Sequence, residues 1–264
     1  MEPMIKTIGA AIKHPTNRSL AEFQRYWAEH HGPFFSHTPH LRRYVQHITL
    51  PEAYGGQPAP THDGVSMFWY DDLESIVHPP SRPTLSEAIP ASHADVYDWY
   101  VRSKRYGDPD TMTLAETVVL DDAQLFDRSP DWPLAHKRCG VVATERVVLE
   151  GQTTPSMVKA VVIEARKPGL TIQEFQKYWY EDHAPLVAKL PGLRRYVQNH
   201  GIPEAYPVRT MTHDGFAELW FDDLAALQRA AATPQWQAVV EDGRELFGEP
   251  TALILARERI QKDL

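Results

Sequence analysis

The chain has a single cysteine, Cys139, among its 264 residues. That excludes an intrachain disulfide and any thiolate cluster holding a metal. No stretch approaches the roughly 20 apolar residues of a membrane span. The opening MEPMIKTIGAAIKHP lacks the long apolar core and small-residue cleavage site of a secretory signal, so a soluble, cytoplasmic protein is expected. Basic residues are scarce too: 27 Lys and Arg against 35 Asp and Glu leave a net charge of −8. With no basic field to gather nucleic acid or anionic lipid, the expected partner is a small hydrophobic molecule.

What the sequence does have is a copy of itself. Ser19 to Tyr54 (SLAEFQRYWAEHHGPFFSHTPHLRRYVQHITLPEAY) aligns without a gap to Thr171 to Tyr206 (TIQEFQKYWYEDHAPLVAKLPGLRRYVQNHGIPEAY), and 19 of the 36 positions are identical. Met4-Ile5-Lys6 returns as Met157-Val158-Lys159, His62-Asp63-Gly64 as His213-Asp214-Gly215, and Trp69 to Leu73 as Trp220 to Leu224. Gly107-Asp108-Pro109 also parallels Gly248-Glu249-Pro250, each before an apolar run. A period near 150 residues is a duplicated domain, not a short-repeat solenoid. Residues 1–128 are read as the first repeat, 129–156 as a linker with an added or exchanged strand, and 157–264 as the second.

Each repeat predicts the same elements. Lys159 to Arg166 is short and β-branched, hence a strand. Thr171 with Glu174 forms a capping box before a helix whose Phe175, Tyr178, Trp179 and His183 follow at helical spacing. Pro191-Gly192 stops it. Strands over Leu193 to His200 and Phe216 to Phe221, a helix over Pro234 to Phe247 and a strand over Ala252 to Arg257 complete β-α-β-β-α-β. The fold class is α+β: two ferredoxin-like halves whose open sheet faces meet in one barrel. Strand alternation assigns Leu193 and Val197 to the helix-covered core. Tyr196 and His200 then face the barrel interior with Phe216, Glu218 and Trp220. An interior that polar is expected to be a pocket.

The run EFQKYWYEDHAPLVAKLPGLRRYVQNH, followed by ELWFDDLAAL, closely resembles the EthD family of the dimeric α/β-barrel superfamily. The first half shares YWAEHHGP, LRRYVQ and FWYDDL but carries an insertion, Gly55 to Ala59, and a Pro-rich stretch, Pro79 to Pro90, so the second half is expected to hold the intact site. The resemblance implies the barrel independently of the strand count. It also implies a pathway enzyme among cofactor-free isomerases, cyclases, dehydratases and monooxygenases, or haem-binding enzymes. Fold alone does not choose between them. In such barrels a helix histidine and a tyrosine on the next strand line the cavity, which by position are His183 and Tyr196, and His31 and Tyr44 in the first half.

A neutral imidazole suits general acid–base work near neutrality, and a tyrosine hydroxyl can hold an enolate oxygen; a helix-capping or purely structural His183 is the plainer alternative. His200 and His213 are weaker substrate-contact candidates, since His-Asp-Gly is most often a turn. Glu218, replaced by Met67 in the first half, is an inward acid expected to have a raised pKa. Trp220 and Trp69 could stack on a flat substrate, and Arg194, with Arg42, could take a carboxylate; packing and solvated strand-edge roles are the alternatives. His30, His31, His37 and His40 lack the spacing of a helical zinc pair, so no metal is expected.

The leading expectation is a cofactor-independent enzyme moving protons on an apolar cyclic or aromatic carbonyl compound, in an isomerase, cyclase, dehydratase or related lyase step. Oxygenation of a phenolic substrate, cofactor-free or haem-dependent, is the second. A non-catalytic carrier of a hydrophobic intermediate is the third. The pseudo-dimer leaves room for further pairing of two chains.

Overall fold

A computed structural model describes residues 4–14, 18–56, 59–78, 81–126, 140–209 and 211–263. The Ser129 to Pro133 turn, the start of the linker and Cys139 lie outside the described residues. Eight strands, β1 (Ile5–Ala11), β2 (Arg43–Thr49), β3 (Gly64–Tyr70), β4 (Gly140–Leu149), β5 (Val158–Arg166), β6 (Leu193–Gly201), β7 (Gly215–Phe221) and β8 (Phe247–Lys262), close an antiparallel barrel in the order β1-β3-β2-β8-β5-β7-β6-β4. The two halves are β4-β1-β3-β2 and β8-β5-β7-β6, each in ferredoxin-like order. The fourth strand of each pairs with the second strand of the other. Helices cover only the outer face. Among the described residues no helix is long and apolar enough to cross a membrane.

Helix starts follow the sequence. Ser19 and Thr171 each accept from the backbone N–H of the residue three on, and the Glu there reaches back, so both predicted boxes form. Beyond them the helix widens. Trp27–His31 and Trp179–His183 are π-turns, closed by Gly32 and Ala184 donating to the carbonyls of Trp27 and Trp179. The following Pro33 and Pro185 have no N–H to give and would crowd the carbonyl four back, so a wider turn relieves both problems. Gly64 and Gly215 leave room for the indoles: a Cβ at Gly215 would sit 2.5 Å from Trp179 Cζ3 and 2.6 Å from the Asn199 carbonyl oxygen. The His-Asp-Gly turn is explained the same way, as structure. Asp214 accepts from the Arg166 backbone N–H at 2.8 Å and from the Tyr206 hydroxyl at 2.6 Å. In the first half Asp63 accepts from the Lys13 backbone N–H at 2.8 Å and the Tyr54 hydroxyl at 2.5 Å.

Two alignments from the sequence are corrected. Gly107-Asp108-Pro109 precedes the helix Leu114–Leu125, whereas Gly248-Glu249-Pro250 lies within β8. The helix that matches Pro234–Leu246 is therefore Leu114–Leu125, through the shared pattern Asp121, Leu125, Phe126 and Asp242, Leu246, Phe247. The facing of β6 is also the reverse of expectation. A β-bulge between Leu193 and Arg195 adds a residue against β7, so Leu193 pairs with Phe221 and Tyr196 with Leu219. One extra residue flips every later side chain. Tyr196 joins Phe175, Trp179, Leu193 and Leu219 under the helices, and Val197 and Asn199 turn inward.

The barrel interior is filled rather than hollow. Ile8, Val45, Val65, Met67, Val161, Ile163, Phe216 and Ile254 pack there, around a buried ionic cluster. The Glu218 carboxylate is bonded to Lys6 Nζ from the first half, and to Lys159 Nζ at 2.5 Å and Asn199 Nδ2 at 2.9 Å from the second. Lys6 also meets Glu145 at 2.8 Å and Lys159 meets Glu258 at 2.5 Å. The two ammonium groups lie over Trp69 (4.5 Å) and Trp220 (3.9 Å). Burial opposes the charge on Glu218, but Lys159 and Lys6 more than offset it and hold the carboxyl well below its ordinary range. The raised pKa expected for Glu218 is thus corrected: it is a fixed counter-ion.

Removing one member of such a cluster strands the others without compensation. Lys159→Met should destabilise the fold by about 3–5 kcal/mol. Denaturant melts of wild type and variant check this, and an unchanged midpoint would remove the cluster from the barrel's stability.

Candidate active site

His183 and Tyr196 do meet, but outside the barrel. Together they line a cavity of about 350 Å³ between the second half's sheet and its helices, walled by Val162, Trp179, Val187, Leu190, Leu219, Trp236, Val239 and Phe247. This is within the size range of small-molecule sites.

The π-turn sets up the histidine. Tyr178 and His183 are five residues apart, which in a regular helix puts them about 140° apart around the axis. The inserted residue brings them to one face, where both reach the same carboxylate. His183 Nδ1 is 2.7 Å from Asp242 Oδ2, and the Tyr178 hydroxyl donates to Asp242 Oδ1 at 2.8 Å. A carboxylate at Nδ1 selects the tautomer with its proton there, so the Nε2 lone pair is left for the cavity. Burial lowers the His183 pKa from its ordinary value, and Asp242 only partly restores it. At neutral pH the ring is an uncharged base.

Tyr196 is held in the opposite sense. Gln198 Nε2 donates to its hydroxyl oxygen at 2.8 Å and to the Trp179 carbonyl at 2.9 Å, tying strand to π-turn. Burial pushes the phenol up, so it stays protonated and keeps one hydrogen to donate. A third polar group, Glu164 on β5, lines the same cavity. It is 5% exposed, and its hydrogen-bond partner among the described residues is Thr251, whose hydroxyl donates to Oε2 at 3.1 Å.

Neither Asp242 nor Glu164 was picked out from the sequence. Asp242 could have been, through the Asp-x-x-x-Leu-Phe repeat shared with Asp121. Glu164 had a weaker signal, the one acid of the strand Val158–Arg166.

The first half repeats the dyad with bulkier side chains around it. His31 Nδ1 lies 2.8 Å from Asp121, which also accepts from the hydroxyls of Tyr26 and Tyr106, each at 2.6 Å. Val187 and Leu219 correspond to Phe35 and Phe68, whose rings pack 4.8 Å apart and cover Tyr44 at 5.5 and 4.8 Å. Gly243, whose Cβ would be 3.7 Å from His183 Cε1, corresponds to Asp122, whose carboxylate is 3.7 Å from His31 Nε2. Glu164 corresponds to Ala11. A separate groove of about 530 Å³ in this half reaches neither His31 nor Tyr44. A larger cleft, about 870 Å³ beside His37 and His93, holds none of the expected site residues.

The remaining candidates are dispersed. Glu218, Trp220 and Trp69 belong to the barrel interior. His200 stacks on Trp179 at 4.8 Å, on the helix side, and bonds to Gln198 at 2.9 Å. His213 is buried in its turn with Thr212 Oγ1 3.0 Å from Nδ1. Arg194 is exposed and paired with Asp222 at 2.9 Å; Arg42 does the same with Asp71 at 2.8 Å. Among the described residues one trio, His47, Glu218 and Glu258, comes close enough to hold a metal. Its centre is taken by Lys159 Nζ, 2.9 Å from His47 and 2.5 Å from each carboxylate.

The sequence profile of the EthD domain matches the chain twice, over residues 16–98 and 167–250. The chain belongs to the EthD family. No curated protein matches it by sequence. Among solved structures, an anthrone oxidase-like protein is 10% identical, with 98% of this chain and 94% of that one covered and a TM-score of 0.57. Single-repeat relatives match 39% of this EthD chain. They are an ethyl tert-butyl ether d (EthD) family protein from Bacillus halodurans (28% identity, 99% of that chain, TM-score 0.34) and SnoaB, a cofactor-independent oxygenase from Streptomyces nogalater (20%, 94%, TM-score 0.29). The full-length likeness confirms the barrel of two ferredoxin-like halves.

Because Asp242 raises the proton affinity of His183, Asp242→Asn should move the ring's titration to lower pH than in wild type, where it already lies below the ordinary value. NMR of the His183 Cε1 proton reads this directly. Coincident curves would mean that the carboxylate does not govern the ring.

Proposed function

We propose that the second half of this EthD protein is a cofactor-independent enzyme that takes a proton from an apolar cyclic or aromatic carbonyl compound. His183 Nε2 accepts the proton from carbon. Asp242 orients the ring and stabilises the imidazolium that forms. The Tyr196 hydroxyl donates to the oxygen that becomes an enolate. Return of the proton at another carbon gives isomerisation, and loss of a β-hydroxyl with that proton gives dehydration. The observation that carries this reading is a histidine–carboxylate dyad opening onto a cavity walled mainly by apolar and aromatic side chains, which limit the access of water to a carbanion.

A second reading keeps the deprotonation and lets O2 capture the carbanion. The dry aromatic wall of Trp179, Trp236 and Phe247 favours an apolar gas, and oxygen uptake during turnover distinguishes it. Haem suits the cavity poorly. Its two propionates would meet one lining cation, Arg244, beside the carboxyls of Glu164 and Glu249. Haem titration without a Soret shift is the expected result.

His183→Gln should lower kcat on an enolisable aromatic ketone by about 10²–10⁴-fold, the usual worth of a general base. His31→Gln, behind Phe35 and Asp122, should leave it within about twofold. Equal losses in both variants, or none in the first, would remove His183 from the chemistry. Ligand binding without turnover by wild type would make the protein a carrier.

A further inference from the structure

The Glu164 carboxyl has an environment that the deprotonation chemistry does not require. It sits near the end of β5 with its hydroxyl-bearing partner Thr251 on β8. It opens onto the cavity that holds His183 and Tyr196, and Ala11 replaces it in the first half. Through the strand pairing, Tyr196 is level with Leu219 and Ala160, four residues along β5 from Glu164. Their backbone positions are therefore offset by about 13 Å along the strands, while both side chains reach the one cavity, near enough for the Glu164 charge to act on the Tyr196 phenol.

The groups facing Glu164 offer it no ion pair. From β8 there are Thr251 and Glu249, from the Pro234–Leu246 helix Arg244, from the π-turn His183 and from β6 Tyr196. Arg166 on its own strand is taken by Asp214 at 2.5 Å. Among the described residues no cation contacts it, unlike Glu218 with its two lysines. A carboxyl taken out of water without a cation keeps its proton. Burial, with a smaller push from Glu249, raises it to about 8. The Thr251 hydroxyl reaches both Oε2, at 3.1 Å, and the Gly248 carbonyl, at 3.2 Å; donating to Oε2, it leaves the acid's own hydrogen for a ligand.

We propose that Glu164 is a specificity-determining residue that, as a neutral carboxylic acid, donates a hydrogen bond to a second carbonyl oxygen of the substrate, apart from the one that Tyr196 contacts. The substrate class is narrowed accordingly to flat, uncharged ring compounds with two separated oxygens. This rests on the cavity assigned under the proposed function but not on His183 acting as a base, so binding rather than turnover tests it.

The probes are 9-fluorenone, which accepts through one oxygen and does not titrate, and fluorene, the same frame without oxygen. Binding is read by quenching of Trp179 and Trp236. For wild type, fluorenone should bind about tenfold more tightly than fluorene at pH 6.5, the worth of one hydrogen bond of about 1.4 kcal/mol. That preference should disappear by pH 9.5, as the acid ionises and repels the carbonyl. Burial keeps Tyr196 protonated over that interval, and repeating the two measurements in His183→Gln removes any contribution from that ring. Glu164→Gln keeps a donor and should retain the preference at both pH values; Glu164→Leu should lose it at both while still binding fluorene, which shows that the cavity is intact. A pH-independent preference in wild type, an undiminished one in the Leu variant, or no binding of either probe to wild type overturns the proposal. Loss of turnover in His183→Gln with these binding results unchanged separates the two readings. Retained turnover in that variant would refute the base and leave the Glu164 contact standing.

Discussion

The Glu218 carboxylate is the point on which the two halves turn. It draws Lys6 from one half and Lys159 from the other to the barrel axis, and Glu145 and Glu258 complete the neutralisation from the two exchanged fourth strands. Apolar packing sets which face of each strand turns inward, and an ionic cluster in low dielectric narrows the register further, since it tolerates few alternatives. It also decides where chemistry can occur. An interior occupied by two ammonium groups, their carboxylates and two indoles has no room for an apolar ligand. The cavity is left to the outer face, where the helices stand off the sheet.

The two halves keep the same scaffold and differ in what stands inside it. Both retain the π-turn, the indole over a glycine, the glutamine linking the Trp carbonyl to the Tyr hydroxyl, and the histidine–aspartate pair. These parts stabilise the helix against the sheet in either half. The differences are of volume and polarity: Phe35 and Phe68 where the second half has Val187 and Leu219, Asp122 for Gly243, Ala11 for Glu164. In the first half Asp121 collects the hydroxyls of Tyr26, Tyr100 and Tyr106 as well as His31, and has become the centre of a packed polar core. A dyad without space around it is a structural element, so a shared motif says less about activity than the side chains opposite it.

Most of the architecture was legible because it is written in repetition and period. Capping boxes, alternating strands and the duplication specify element order and the barrel. The errors have local causes. One bulged residue at Arg194 reverses the facing of Tyr196, and alternation counted through it sent the tyrosine to the wrong side. The π-turn likewise hides in sequence: helical spacing grouped Tyr178 with His183, but five residues apart they share a face only because the helix widens. Asp242 was missed because the Gly-Asp-Pro match misaligned the helix that carries its counterpart. His183 and Tyr196 were named together on the family resemblance; they line one cavity, but on the helix side of the sheet and not in the barrel.

Two buried glutamates show why composition of a face cannot substitute for its contacts. Glu218 and Glu164 are both almost inaccessible, at 1% and 5% exposure, and desolvation raises both. Glu218 has two lysines and an amide against it and is held ionised; Glu164 has a single threonine hydroxyl and is not. The same low dielectric therefore yields a permanent anion in the barrel and a neutral acid in the cavity. The imidazole, phenol and carboxylic acid that face one another across the cavity carry no charge at rest, and Arg244 and Glu249 are the charged groups of its lining. On the proposed function the new charge is the imidazolium at His183, and Asp242, 2.7 Å from Nδ1, is already placed to balance it.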